Sequence, residues 1–385
     1  MQLTFSEEQD QLRESLQRLL RDHAPVSSIR ERFDTPRGYH AGLWQQFAQM
    51  GLIGAHLDAS HGGQGLSLIE LGIIMEEQGR ALACSPYFGS AVLAATAIAA
   101  CGSTEQTQTL LPEITAGRTV AALALAENAY HWPTDDYRTR AATNNGATYQ
   151  LTGSKRFVID ACNADELYVA ACVEDDAGLT GLFKVDREAS SVAITELHSL
   201  DTTRRCADVT FENTPATLIG DPSLTTAGLR QTLQVGCIAL ANEMVGGAAY
   251  LLDATLAYVD LRMQFGRKIG SFQSVKHKCA DMLLELELAK STAYVAAATY
   301  AEDPEHPDLP MLAAMTKANA ADTYAYIAAE AIQLHGGIGF TWDNDIHFWY
   351  RRAKSSELLL GDAAYHREQM MQNLPTQNTT QRHAS

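Results

Sequence analysis

The chain has 385 residues, 46% of them hydrophobic and 19% charged, with 46 acidic side chains against 29 basic ones and a formal net charge of −17. That length buries a large core and is expected to divide into two or three domains of an ordinary globular protein. The charge argues against nucleic acid, because nothing offsets phosphate repulsion, and no apolar run is expected to reach the ~20 residues of a membrane span.

Residues 1–118 read as a helical N-terminal domain. Met1 to Glu8 has neither a basic start nor an apolar stretch, so no signal peptide and a cytoplasmic location are expected. Ser6 and Gln9 form a capping box, and Leu12, Leu16, Leu19 and Leu20 recur at helical spacing. Further helices are expected over 43–50, 66–83, 85–100 and 105–116, with His61 to Gly65 as a glycine-rich turn. Near Thr119 the composition changes. Seven short β-type runs (120–125, 148–152, 156–159, 166–173, 181–185, 192–195 and 208–211) predict a small sandwich or barrel over 119–226. From 227 to 372 four long helical segments predict a C-terminal four-helix bundle, with Pro304, Pro307 and Pro310 between the second and third. The polar tail 373–385 is expected to be disordered. Cys84, Cys101, Cys162, Cys172, Cys206, Cys237 and Cys279 form no CxxC pair and read as free thiols, and no His/Cys group has zinc spacing.

Two breaks in the helical region carry the chemistry. The first runs from Arg262 to Gln273, where glycines stop one helix and Ser271 stands at the expected N-cap of the next. Arg262 offers a planar fork to a phosphate, and Gln273 offers an amide. The second break, Gln333 to Phe340, holds three glycines in four positions, which brings bare backbone N–H groups close to a ligand. Either one alone reads as a plain turn.

Together they spell RxQFGxxIxxFQ and QxHGGxGF, a pair that resembles the acyl-CoA dehydrogenase family. The resemblance covers nearly the whole chain. It implies a helical domain, a β domain and a helix bundle, with FAD as cofactor and an acyl-CoA thioester as substrate. It also implies an electron-transfer flavoprotein as acceptor. The residues it assigns to FAD are Arg262, Gln264, Phe265, Gln273, Gln333, His335, Gly336 and Gly337, partly across a subunit interface, with Phe157 packing on the ring; Phe157 reads equally as a core strand aromatic, and His335 as part of the turn.

The same resemblance exposes what is missing. The family places its glutamate base at one of two positions, which fall here on Leu360 and Gly236, and the neighbouring family arginine is Cys237. No catalytic residue is therefore assigned. Glu243 lies on nearly the same helix face as Gly236 but ~10 Å further along; Asp362 and Glu357 flank Leu360. The family loop Leu-Thr-Glu-Pro-Gly-Ala-Gly-Ser-Asp corresponds to Leu125 to Trp132 without its hydroxyls and glycines, and Trp-Ile-Thr becomes Phe157-Val158-Ile159.

This pattern resembles the non-catalytic chain of α2β2 acyl-CoA dehydrogenases that shorten steroid side chains, in which a second chain supplies the base. A self-sufficient homotetramer using Asp362 or Glu243, and a flavin-free scaffold, are the alternatives. Arg351, Arg352 and Lys354 read as a solvated or interface face, and Trp342, Phe348, Trp349 and Tyr350 as core or interface aromatics. Asp201-Thr202-Thr203-Arg204 resembles a family motif and reads equally as a turn salt bridge. His277 reads as structural.

Overall fold

The computed structural model describes residues 5–33, 35, 37–128, 132, 134–143, 148–174 and 178–374. Ala129, Tyr130 and His131 of the loop discussed above, and the tail from 375, lie outside them.

Ser6 caps α1 (Glu7–His23) in the predicted way: its Oγ accepts from the Gln9 N–H, and its own N–H donates to the Gln9 side chain. Leu16 and Leu20 are buried in the core. α2 (Ile29–Phe33), α3 (Ala41–Gln49) and α4 (Leu68–Ala81) follow. The helix expected over 85–100 has two geometries, a π-helical stretch Tyr87–Ala94 that continues as α5 (Ala95–Cys101). The wide turns let Gly89 sit against the barrel: a Cβ there would lie 2.8 Å from Asp160 Oδ2. α6 (Thr104–Thr115) completes this region.

The barrel strands are β1 (Ala121–Ala124), β2 (Arg140–Thr143), β3 (Tyr149–Ile159), β4 (Glu166–Val173), β5 (Thr180–Asp186), β6 (Val192–Glu196) and β7 (Cys206–Ile219). The order β4-β2-β3-β7-β5 closes on itself because β5 also pairs with β4; β1 lies parallel on β4, and β6 pairs with β7. Two details differ from the sequence expectation. The runs 148–152 and 156–159 are one strand, continuous through two irregularities in its register with β7. Arg140–Thr143 is a strand that its own sequence does not announce, because Arg-Ala-Ala-Thr shows no apolar alternation.

α7 (Pro222–Leu261) is one 40-residue helix. It starts before the expected residue 227 because Asp221 caps it and Pro222 is suited to a first turn. By length and composition it is apolar enough to cross a membrane, and 94% of its most apolar window is buried inside the protein. A hairpin of β8 (Met263–Gln264) and β9 (Arg267–Lys268) leads to α8 (Gln273–Glu302), and α9 (Leu309–His335) follows with Pro310 in its first turn. The fourth segment is two helices, α10 (Ile346–Leu358) and α11 (Ala363–Gln372), because the chain turns at Leu360 and Gly361, both at positive φ. α4 crosses α7 at backbone contact. A Cβ on Gly79 would lie 1.9 Å from the Glu243 carbonyl oxygen, and one on Gly246 1.8 Å from that of Glu76.

Candidate functional site

Phe265 and Gly266, both at positive φ, form the two-residue turn of the β8–β9 hairpin. This hairpin and the glycine turn after α9 enclose a cleft of about 440 Å³ lined by Tyr258, Arg262, Gln264, Ile269 and residues 334–338. The fold thus gathers Arg262, Gln264, His335, Gly336 and Gly337 from two distant stretches. A Cβ on Gly336 or Gly337 would meet nothing within 4 Å, so a ligand can approach the backbone there, but the Gly336 N–H is not bare as expected, since it caps α9 by donating to the Gln333 carbonyl. Tyr258 stacks on His335 at 4.3 Å and donates to its carbonyl at 3.3 Å. Burial holds the His335 imidazole below its usual pKa, and its Nδ1 lies 2.8 Å from the Ala331 carbonyl, so the ring forms a neutral wall. One guanidinium beside bare backbone suits the pyrophosphate end of FAD.

The remaining candidates lie elsewhere. Phe265 is the hairpin tip, 91% exposed, Gln273 opens α8, and Gln333 lines a neighbouring cleft. Phe157 sits on the barrel at φ 54°, under the Arg156 guanidinium. Ser271 is not the N-cap of α8. Phe272 occupies that position, and the Ser271 hydroxyl donates to the Lys268 carbonyl because a 3-10 turn intervenes.

The two family base positions face each other. A Cβ on Gly236 would lie 3.1 Å from Leu360 Cδ1 and 2.7 Å from Leu93 Cδ2. Beside them opens a cleft of about 510 Å³ whose walls include Trp132, Gln234, Cys237, Leu360 and His366. The Leu360 turn is pinned from below. Lys317, wholly buried, donates to the carbonyls of Gly361 (2.9 Å) and Glu357 (3.2 Å), and His366 Nε2 lies 2.9 Å from the Leu360 carbonyl. Burial lowers the Lys317 pKa to about 8; burial and the Lys317 charge lower that of His366 to about 4.

No carboxylate replaces the base there among the described residues. Asp362 accepts from the Tyr365 N–H as the cap of α11, Glu357 pairs with Lys354, and Asp135 on the rim pairs with Arg230. Burial pushes the Cys237 thiol up to about 12, so it carries no charge.

Glu243 is committed to a buried ionic network. Its two oxygens accept from Arg204 (2.5 Å) and Arg352 (2.8 Å), and Arg352 also reaches Asp201 and Thr203. Burial favours the protonated acid, but the two arginines outweigh it and hold the carboxyl below its ordinary pKa. A carboxylate so held is a poor proton acceptor, which removes Glu243 as a base. The reading of Arg352 as solvated is corrected in the same way: it is 3% exposed, since it sits on the face of α10 that meets α7, while Arg351 faces outward.

Asp160, beside this network, is held up to about pKa 7 by burial, with Arg204 and Arg352 pulling it down. Its folded value lies above the ordinary carboxylate value, so the folded state binds more protons between roughly pH 4 and 7. Stability from this group is therefore present at low pH and lost as pH rises through that window. Asp160→Asn is expected to flatten that decline, and urea unfolding at pH 5 and pH 8 measures it. An unchanged pH slope would count against the assignment.

Sequence reasoning missed Tyr258, Lys317 and Asp160. A lysine inside an alanine-rich apolar segment (Ala313-Ala314-Met315-Thr316-Lys317-Ala318) was the available signal for the second of them.

Residues 6–118 match the acyl-CoA dehydrogenase N-terminal domain and residues 227–374 the acyl-CoA dehydrogenase C-terminal domain. The acyl-CoA dehydrogenase IpdE2 of Mycobacterium tuberculosis is 32% identical over 359 residues, covering 93% of this chain and 94% of its own length. Among solved structures, a chain of a variant of the Tcur3481–Tcur3483 steroid ACAD superposes with a TM-score of 0.85 at 30% identity, over 95% of this chain and 97% of that one. A chain of the ChsE4–ChsE5 complex from Mycobacterium tuberculosis gives 0.87 at 25% identity, over 97% and 99%.

Proposed function

Because the chain belongs to the acyl-CoA dehydrogenase family, flavoprotein oxidoreductases acting on the CH–CH bond of acyl-CoA, we propose that it is the non-catalytic member of a heteromeric enzyme. In this reading it supplies the nucleotide cradle to a FAD whose ring and base-bearing glutamate lie on a companion chain. The carrying observation is the pair Leu360 and Gly236, two apolar residues in mutual contact where a proton acceptor would stand.

The length of α7 supports the sharing. Gly236 and Leu261 lie on one unbroken helix, ~38 Å apart at 1.5 Å per residue. A flavin gripped by Arg262 therefore does not reach this chain's own base positions, and serves a neighbour's. FAD bound there would supply the acceptor for a hydride from the substrate β-carbon. Arg262 and the Gly337 N–H would hold its pyrophosphate, with Gln264 beside it, while the Gly336 N–H is taken by the Gln333 carbonyl. The steroid ACAD among the similar structures favours a steroid-type acyl-CoA as substrate, and an electron-transfer flavoprotein completes the reading as acceptor.

Coexpression with a companion chain that carries the glutamate, followed by flavin counting, tests the proposal. One flavin per pair of chains is expected, with desaturation only by the pair. Arg262→Ala is expected to weaken flavin retention by roughly 10- to 100-fold, the range of a charge-assisted contact of about 1.5–3 kcal/mol. A chain that is yellow and desaturates acyl-CoA alone sinks the reading.

A further inference from the structure

A second cleft, about 330 Å³, opens beside the nucleotide cradle on the other flank of the glycine turn. Leu200, Gln333, Phe340, Trp342, His347 and Arg351 form most of its wall. Three features set it apart from a plain surface groove. Its rim is apolar yet open to solvent, with Phe340 79%, Trp342 58% and Leu200 52% exposed. Arg351 lies over the Trp342 ring at 5.1 Å and donates to the Leu200 carbonyl, but no carboxylate is within ion-pair distance among the described residues. His347 is buried, and neither of its ring nitrogens has a hydrogen-bond partner in another described residue.

An unpartnered buried imidazole costs about 1–3 kcal/mol, so a group that enters the cleft and bonds to this ring recovers that cost. Burial, with Arg351 and Arg30 nearby and Asp345 opposing them, keeps the ring below its usual pKa and therefore neutral. A neutral ring donates one N–H. Arg30 is matched by Asp345 at 2.5 Å, which leaves Arg351 as the uncompensated charge of the rim. On a chain of net charge −17, this is a cationic spot beside exposed aromatics. The group it fits is a carboxylate carried on an apolar segment.

We propose that this cleft seats an apolar, carboxylate-bearing segment of the companion chain, with Arg351 as ion-pair partner and His347 as hydrogen-bond donor. The inference rests on the heteromer reading above, and it puts the contact next to the shared nucleotide cradle, since Gln333, Gly339 and Phe340 line this cleft and the intervening residues 334–338 line the cradle. Trp342 stands edge-on to His347 at 4.9 Å, so the imidazole becomes reachable when the indole turns aside. The indole is then the moving part of the contact, and its fluorescence reports the docking.

The test uses the full chain coexpressed with a glutamate-bearing companion and measures association by sedimentation. Arg351→Glu is expected to raise the heteromer Kd at least tenfold. His347→Phe, which fills the same space without nitrogens, is expected to raise it severalfold, with both variants melting close to the parent. Association should also change tryptophan emission in the parent and not in Trp342→Phe. Wild-type association that Arg351→Glu leaves unaltered overturns this inference alone. Loss of self-association only makes the occupant a second copy of this chain, and loss of flavin with assembly intact makes it a nucleotide; each overturns the proposed occupant. A wild-type chain that meets no companion overturns the heteromer reading itself.

Discussion

Arg352→Met is expected to lower the unfolding free energy by about 3–5 kcal/mol, the usual cost of removing one partner from a buried ion pair. The side chain donates to Asp201 at 2.8 Å, to Thr203 at 2.6 and 3.1 Å, and to Glu243 at 2.8 Å. Its loss strands the Asp201 carboxylate without a cation and leaves Glu243 with Arg204 alone. Arg204 is already short of one partner, since its Nη1 is buried and unbonded, with Phe88 beneath the guanidinium at 5.1 Å. Arg352→Lys keeps the charge but not the planar fork, and is expected to recover less than half of the loss. Urea unfolding of the three proteins measures this. A methionine variant within about 1 kcal/mol of the parent, below the range for buried pairs, would show that the network is not a support of the fold.

The second large effect is expected at the crossing of α4 and α7. Gly246→Ala should destabilise by about 3 kcal/mol, the upper part of the overpacking range. The added methyl would lie 1.8 Å from the Glu76 carbonyl oxygen, and backbone yields less readily than a side chain. Gly79→Ala meets the Glu243 carbonyl at 1.9 Å, and the Trp349 indole N–H already donates to the Gly79 carbonyl at 3.2 Å. The helices have to separate in either variant. Separation would also shift Glu243 and slacken its ion pairs, so Gly246→Ala and Arg352→Met should be less than additive. Full additivity would mean that the crossing and the network are independent.

Much of the architecture was legible because it follows from local chemistry. Ser6 and Gln9 announced α1, the prolines before Met311 announced the α8–α9 connection, and Phe265-Gly266 announced a turn. The strand Arg140–Thr143 was not legible, since its place in the barrel is set by pairing with β3 and β4 rather than by its own pattern. At the candidate site, the motif pair located Arg262, Gln264, His335, Gly336 and Gly337, which close on one cleft. Gln273 and Gln333 sit in the same motifs but project elsewhere, because adjacent residues on a helix or turn point in different directions. The network around Arg352 was hidden for a related reason. Arg351, Arg352 and Lys354 look alike in a row, and only the packing of α10 on α7 decides that one of them is interior.

A phenylalanine held out in water at the turn of a hairpin has a cost during synthesis. Phe265, with Leu261 and Met263 beside it, gives the newly made monomer an adhesive surface. The burden of such a surface grows with the amount of chain left uncovered. If the proposed companion covers this surface, production without it should yield inclusion bodies or chaperone-bound material, and coexpression of the two chains should yield clear lysate.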